Sequence, residues 1–425
     1  MKIDLEKSKA SKHFCMAPWV TLHAWPSGDT WPCCVIIPEG KFKSGKGMTN
    51  LNDSGIEDAW NSPLMKELRC NMIADKPSKA CSRCIDEEKA GNPWTLRKHL
   101  NNQFFDLHFD KVHETNEDGS HDNPEILYWD IRFNNLCNMK CRTCSVEFSS
   151  QWYEDSVSSF GYEGPAYKGL PKDFWDKSLK YLDKVEYAYF AGGEPLITEE
   201  HYKMLDHWLS VGNTKIKIDY TTNFSKMNLR NKHVFDYWNK FENVNVGASL
   251  DDNWERAEYL RKGTKWIDIV NNRKQMIKEC PDTRFFLSST VSIYNALHFP
   301  DFHKEWLEEG LVDPHNININ FLTEPNWLST QNMPKAYKEK VERRWRDHID
   351  YLNKNYYTDR DISIYEDPEV LNIWESVLNY MNGYDQPDEE MITTFVHNTQ
   401  WLDRFREEYW LDAFPELEIL KKYEY

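Results

Sequence analysis

From residue 125 onward, apolar runs of strand length alternate with stretches of helical period. Six runs have the strand pattern: "EILYWDIRF", "VEYAYFA", "KIKIDYTT", "NVNVGASL", "RFFLSSTVSI" and "NININFL". Between them, "DFWDKSLKYLDK", "EEHYKMLDHWLS", "KHVFDYWNKF", "KWIDIVNNRKQMIKE" and "FPDFHKEWLEE" repeat apolar residues at helical spacing. Such alternation predicts an α/β fold of parallel βα units, as an open sheet or a barrel. Only six units are visible, which favours a partial barrel over a complete eightfold one. Residues 331–425 are acidic, aromatic and helical in pattern, and predict a helical extension. Residues 1–106 look different: they are rich in Cys, Trp, Gly and Pro, with short apolar pieces such as "WVTLHAW" and "VII" between turn signals. A helix is expected in "GIEDAWNSPLMKELRCNMI". Residues 107–124, "LHFDKVHETNEDGSHDNP", are polar and turn-rich and predict a linker.

Composition narrows the classes of function. A chain of 425 residues has room for two or three domains. Its net charge of −17 argues against a protein built to grip nucleic acid, which needs a basic face. No segment approaches the roughly 20 apolar residues of a membrane span. The start, "MKIDLEKSKASKHF", has no apolar signal-peptide core, so a cytoplasmic location is expected. Ten cysteines in such a chain point to metal binding or catalysis rather than to a disulfide framework. They are unevenly placed: six precede residue 85, three fall in one short motif, and Cys280 stands alone near the end of an expected helix, where packing is its simplest role.

The short motif is "NNLCNMKCRTC", which sets Cys137, Cys141 and Cys144 at C-x3-C-x2-C directly behind the first core strand. In βα architectures, chemistry gathers where strands end and loops begin. A structural zinc site would need a fourth ligand. A four-iron cluster needs only three protein ligands if one iron is to remain open. One βα unit later, "YFAGGEP" ends the second strand with Gly192, Gly193, Glu194 and Pro195. Two glycines permit close backbone approach, and Glu194 supplies a negative charge. "TTN" ends the third strand at Asn223, "SLDD" ends the fourth with Ser249 and Asp251, and "AEYLRKG" carries Arg261. As ordinary structure, Asp251 would be a helix cap, Arg261 a solvated helix charge, and "SSQW" (Ser149 to Trp152) a packing segment.

The triad followed by glycine–glycine–glutamate–proline resembles the radical S-adenosylmethionine (SAM) enzymes. Thr143 stands where that family often has an aromatic residue before the third cysteine. The resemblance implies a partial (β/α)6 barrel over residues 125–330, with a [4Fe-4S] cluster on Cys137, Cys141 and Cys144. It implies that the open iron chelates SAM, and that Gly192 to Pro195 receive the SAM amino group. Asn223 follows in register, Ser249 and Asp251 would hydrogen-bond the ribose, and Arg261 the carboxylate. Reductive cleavage of SAM would then yield a 5′-deoxyadenosyl radical that abstracts a substrate hydrogen atom.

"CMAPWVTLHAWPSGDTWPCC" gives C-x12-G-x4-C on Cys15, Gly28 and Cys33, and "WNSPLMKELRC" and "CSRC" (Cys81, Cys84) follow. This stretch resembles the SPASM/twitch domains, here ahead of the core rather than behind it. The resemblance implies one auxiliary [4Fe-4S] cluster on Cys15, Cys33, Cys81 and Cys84. Cys34 could replace Cys33, Cys70 could compete, and the spacing alone fits a four-cysteine zinc site equally well. The whole is expected to be a radical SAM oxidoreductase that modifies a peptide or protein side chain. It would be reduced by a partner such as flavodoxin or ferredoxin, without nucleic-acid or membrane partners. Action on a small molecule, or a non-catalytic iron–sulfur electron carrier or scaffold, are the alternatives.

Overall fold

The six apolar runs all hold strands in the computed structural model, which describes residues 3–36, 48–89, 91–92, 95–357, 369–384 and 388–424. The chain divides into two compact units. The first comprises Met1–Leu136, Tyr167–Tyr220 and Lys240–Val244; the second comprises Cys137–Ala166, Thr221–Asn239 and Asn245–Tyr425.

In the first unit, the region ahead of the expected core contributes β1 (Thr21–Ala24) and β2 (Thr30–Trp31), an antiparallel pair. The helix expected over "GIEDAWNSPLMKELRCNMI" is two helices, a turn at Ile56–Trp60 and α1 (Pro63–Ile73). The break falls where Pro63 has no N–H to give and suits only a first helical turn. Ser62 caps the restart, its side chain accepting from the Met65 N–H. Arg69 of α1 is fully buried and donates to the Pro18, Trp60 and Gly119 carbonyls at 2.9, 2.9 and 3.2 Å. Next come α2 (Ser82–Lys89) and α3 (Leu96–His108), followed by a helical turn at Asp110–His113. The stretch expected as a linker, 107–124, therefore begins as helix.

The expected first core strand is β3 (Tyr128–Ile131). α4 (Phe174–Leu182), β4 (Tyr187–Phe190), α5 (Glu199–Ser210) and β5 (Lys217–Thr222, ending in the second unit) follow. The strands lie in the order β2-β1-β3-β4-β5. β1 runs parallel to β3, with Thr21 opposite Tyr128 and Ala24 opposite Ile131; β3 and β4, and β4 and β5, are also parallel. Along β5, burial alternates strictly, Ile218, Tyr220 and Thr222 pointing to the more buried side. Phe14, Trp19, Leu68, Phe104, Tyr128 and Tyr187 belong to one buried cluster that ties the N-terminal region to these strands.

In the second unit, β6 (Asn243–Ala248, starting in the first), β7 (Arg284–Val291) and β8 (Ile317–Phe321) lie side by side and parallel. α6 (Trp266–Glu279) connects β6 to β7, and α7 (Phe299–Glu308) connects β7 to β8. The C-terminal stretch is helical as expected in its described part: α8 (Lys335–Leu352), α9 (Glu369–Met381) and α10 (Glu389–Arg406). The fold is thus mixed α/β with parallel strands joined by helices. Among the described residues, no helix is long and apolar enough to cross a membrane.

Candidate functional site

Two groups of cysteines emerge, each within one unit. In the first, Cys15 precedes a helical turn at Ala17–Val20, Cys33 follows β2, Cys81 ends a short 3-10 turn and Cys84 lies in α2. These four thiols line a single cavity walled by Leu68, Met72 and Leu100, with Arg97 at its side. Cys34 and Cys70 are not among its lining residues. Cys34 instead donates its thiol hydrogen to the Asp130 carboxylate, which His23 at 3.0 Å helps to hold ionised despite burial. Burial raises the pKa of all four cavity thiols, Cys81 to about 11, and repulsion between neighbouring thiols adds to it at Cys15 and Cys33. Arg97 is engaged by Glu88 and by the Phe14 carbonyl, so the cavity holds little positive charge of its own. Four thiols lining one cavity short of a counter-charge suit a cationic metal centre, which deprotonates them on binding.

In the second unit, Cys137, Met139 and Cys141 are buried together, and Cys144 packs against them. Burial, then the neighbouring Cys141 and Cys137 thiols, raise the pKa of Cys144. The loop that carries them is clamped. Lys140–Cys141 forms a two-residue antiparallel ladder with Arg261–Lys262, in which Arg261 lies opposite Cys141. The Arg142 N–H donates to the Leu260 carbonyl at 2.8 Å. Next along, Gly263 has φ +107, and a Cβ there would sit 2.8 Å from the Asn138 oxygen. From the other side, Ser149 donates to the Met139 carbonyl at 2.6 Å and the Trp152 indole to the Cys141 carbonyl at 2.8 Å. "SSQW" is therefore a brace for the cysteine loop.

A buried ionic layer lies under this brace. Asp155, fully buried, accepts from Lys140 at 2.9 Å and from Arg406 at 2.7 Å. The Arg406 guanidinium also lies over the Trp152 ring, 4.8 Å from its centroid. Arg142 is paired with Asp403 of α10 and with Glu408, and Tyr259 donates to Asp403 at 2.8 Å. Charges this deep need partners, and here they tie the C-terminal helix to the loop.

Three expected site residues join the triad. Asn223 donates to Asn138 at 3.0 Å and reaches the Cys137 sulfur at 3.9 Å. Arg261 grips Asp251 with both arms of its fork, at 2.8 and 2.9 Å, and points another N–H at the Cys141 sulfur, 3.7 Å away. Asp251 also accepts from the Thr290 N–H at 2.9 Å. Asp251 is no helix cap, nor Arg261 a solvated charge: both are withdrawn from water. Ser249 donates its backbone N–H to Thr222 at 2.8 Å. The Gly192–Pro195 segment belongs to the first unit. There a Cβ on Gly193 would come within 2.1 Å of the Leu136 oxygen, and the Glu194 N–H donates to that oxygen at 2.7 Å. The Glu194 carboxylate is buried and accepts from the Leu196 N–H at 3.1 Å. Glycine at 193 is thus required by the chain's own main chain. Cys280 is buried at the end of α6, 3.9 Å from the Phe235 carbonyl, as a packing residue would be.

Among the described residues, no three His, Cys, Asp or Glu side chains are close enough to share one metal ion. A single ion at either cysteine group would therefore require the side chains to draw together.

Residues 15–85 match the SPASM family, an iron–sulfur cluster-binding domain. The chain carries a SPASM domain. The matched stretch begins at Cys15 and includes Cys33, Cys81 and Cys84, so all four cavity thiols fall inside it. No curated protein matches the chain. Solved structures similar to it include native anSMEcpe with bound AdoMet and Cp18Cys peptide, at 19% identity and a TM-score of 0.36, covering 52% of this chain and 59% of that one. Native anSMEcpe with bound AdoMet gives 19% identity and 0.36 over 52% and 60% of the two chains. TYW1 with a lysine-pyruvate adduct bound gives 14% identity and 0.29 over 56% and 75%. The match spans about three fifths of the anSMEcpe chains. Outside the SPASM domain, sequence reading missed Arg142, Asp155, Asp403 and Arg406. Only pairing across more than 250 positions joins Arg142 to Asp403 and Arg406 to Asp155, and no local pattern announces that.

Proposed function

We propose that the chain is a radical SAM enzyme, its core a partial (β/α)6 barrel over residues 125–330. The SPASM region would span 1–106, a linker 107–124 and a helical extension 331–425. The observation that carries this reading is the triad of buried Cys137 and Cys141 with half-buried Cys144, three thiols in a clamped loop, in a chain whose SPASM domain brings four other thiols to a cavity of their own. Cys137, Cys141 and Cys144 would hold a [4Fe-4S] cluster with one iron left open, and Cys15, Cys33, Cys81 and Cys84 would close a second. When bound, the first cluster and SAM supply one-electron reductive cleavage of SAM and hydrogen-atom abstraction from the substrate. The chain's residues bind and orient. Gly192, Gly193, Glu194 and Pro195 would receive the SAM amino group, Ser249 and Asp251 the ribose, and Arg261 the carboxylate, with Asn223 following in register. A peptide or protein side chain is the proposed substrate class, and a low-potential carrier such as flavodoxin or ferredoxin the electron donor, in the cytoplasm.

Anaerobic reconstitution with iron and sulfide, reduction by dithionite and addition of SAM is expected to yield 5′-deoxyadenosine. Cys141→Ala should abolish it. Zinc in place of iron in the purified protein, with no 5′-deoxyadenosine formed, would overturn the proposal.

A further inference from the structure

Arg261 faces the sulfur of Cys141, one of the three thiols proposed to hold the cluster. It stands opposite Cys141 in the two-residue ladder, so the main chain fixes its distance from that ligand. Its fork is committed to Asp251 at 2.8 and 2.9 Å, leaving the Nη1 side to face the Cys141 sulfur at 3.7 Å. Asp251 is in turn immobilised by the Thr290 N–H, and its own carbonyl by the Asn295 side chain at 2.7 Å. The guanidinium is thus aimed by a rigid, buried carboxylate. A cation and an N–H donor beside a ligand sulfur stabilise the extra negative charge that reduction brings, and so raise the reduction potential. Asp251 opposes this, at longer range and partly neutralised.

We infer that the Arg261–Asp251 pair sets the reduction potential of the cluster held by Cys137, Cys141 and Cys144, through the Cys141 sulfur, rather than serving only as a ligand for SAM. The inference rests on the proposed function. The relevant step is the uptake of one electron from dithionite by the oxidised cluster, with no bond made or broken.

The test is an EPR-monitored redox titration of the full-length reconstituted protein, without SAM. A Cys137→Ala, Cys141→Ala, Cys144→Ala variant identifies the signal of the SPASM cluster for subtraction. At the wild-type midpoint, Arg261→Gln should lower the reduced-to-oxidised ratio at least tenfold, which is about 59 mV for a one-electron couple. Arg261→Lys, which keeps the charge, should lower it less. Asp251→Asn, isosteric and still able to accept from Thr290, should raise it. Shifts of opposite sign cannot come from a loosened fold, and Asp251→Asn together with Arg261→Lys decide the matter if Arg261→Gln does not accumulate. Ratios in all variants within twofold of wild type, with SAM binding weakened, would overturn the inference and leave the proposed function standing. A triad variant that loses neither iron nor signal would overturn the proposed function as well.

Discussion

Cys33 and Cys34 are neighbours in sequence and do different things. Cys33 lines the cavity with Cys15, Cys81 and Cys84, whereas Cys34 donates to Asp130. Cys33→Ala is therefore expected to remove the SPASM cluster, read as a loss of about four irons per chain, and Cys34→Ala to leave the iron content unchanged. Equal losses from both would show that the two exchange as ligands. Which of the pair faces the cavity was not legible in the sequence, because consecutive residues differ only in where the local backbone points them. The other three cavity cysteines were legible, since no neighbouring thiol competes at Cys15 or within "CSRC". Arg261 and Asp251 were singled out in the sequence by resemblance. Their grip on each other was not legible, because the two stand at opposite ends of a short helix, Trp254–Leu260, whose placement no local pattern announces.

At the scale of elements, the core strands were legible because each is a run of strand length, continuous as in "ILYW" or alternating as in "KIKIDY", flanked by stretches of helical period. β1 was not: its four residues, Thr21 to Ala24, are too short a run to stand out in a Cys- and Trp-rich stretch. The C-terminal helices were legible as helices, but not the buried histidine pair that joins the first of them, α8, to α7. His303 of α7 and His348 of α8 lie 2.9 Å apart, 0% and 4% exposed, with the Trp374 ring of α9 about 5 Å from each. Burial holds both neutral: His303 falls well below its ordinary range and His348 falls to about 4. Asp301 opposes the shift at His348, while Lys304 and Arg344 reinforce it. Unfolded, each would titrate near 6.5. The unfolded chain thus binds more protons between about pH 6.5 and 4. The pair's contribution is fully present above pH 6.5 and is lost as pH falls through that window, on the order of 3 kcal/mol by pH 4 from His348 alone. The melting temperature of the apoprotein should therefore drop more between pH 7 and 5 in wild type than in His348→Gln. Parallel curves would show that His348 is not held neutral in the folded protein.

For the whole molecule, the two cysteine groups obey one rule with different outcomes. Each gathers thiols whose charged form burial disfavours, so each links metal binding to order in its own unit. The supports differ. The SPASM thiols come from separate turns and helices held by a large aromatic core, including Phe14, Trp19 and Phe104. The triad sits within eight residues, and its loop is shaped from outside by Arg261, Gly263, Ser149 and Trp152. Because these supports lie in different units, the two iron loads should be separable. Replacing Cys137, Cys141 and Cys144 together by Ala should remove about four irons and leave about four, and replacing Cys15, Cys33, Cys81 and Cys84 should do the converse. Iron and sulfide analysis with Mössbauer spectra of the two variants checks this. If either variant loses all its iron, one cluster is needed to build the site of the other.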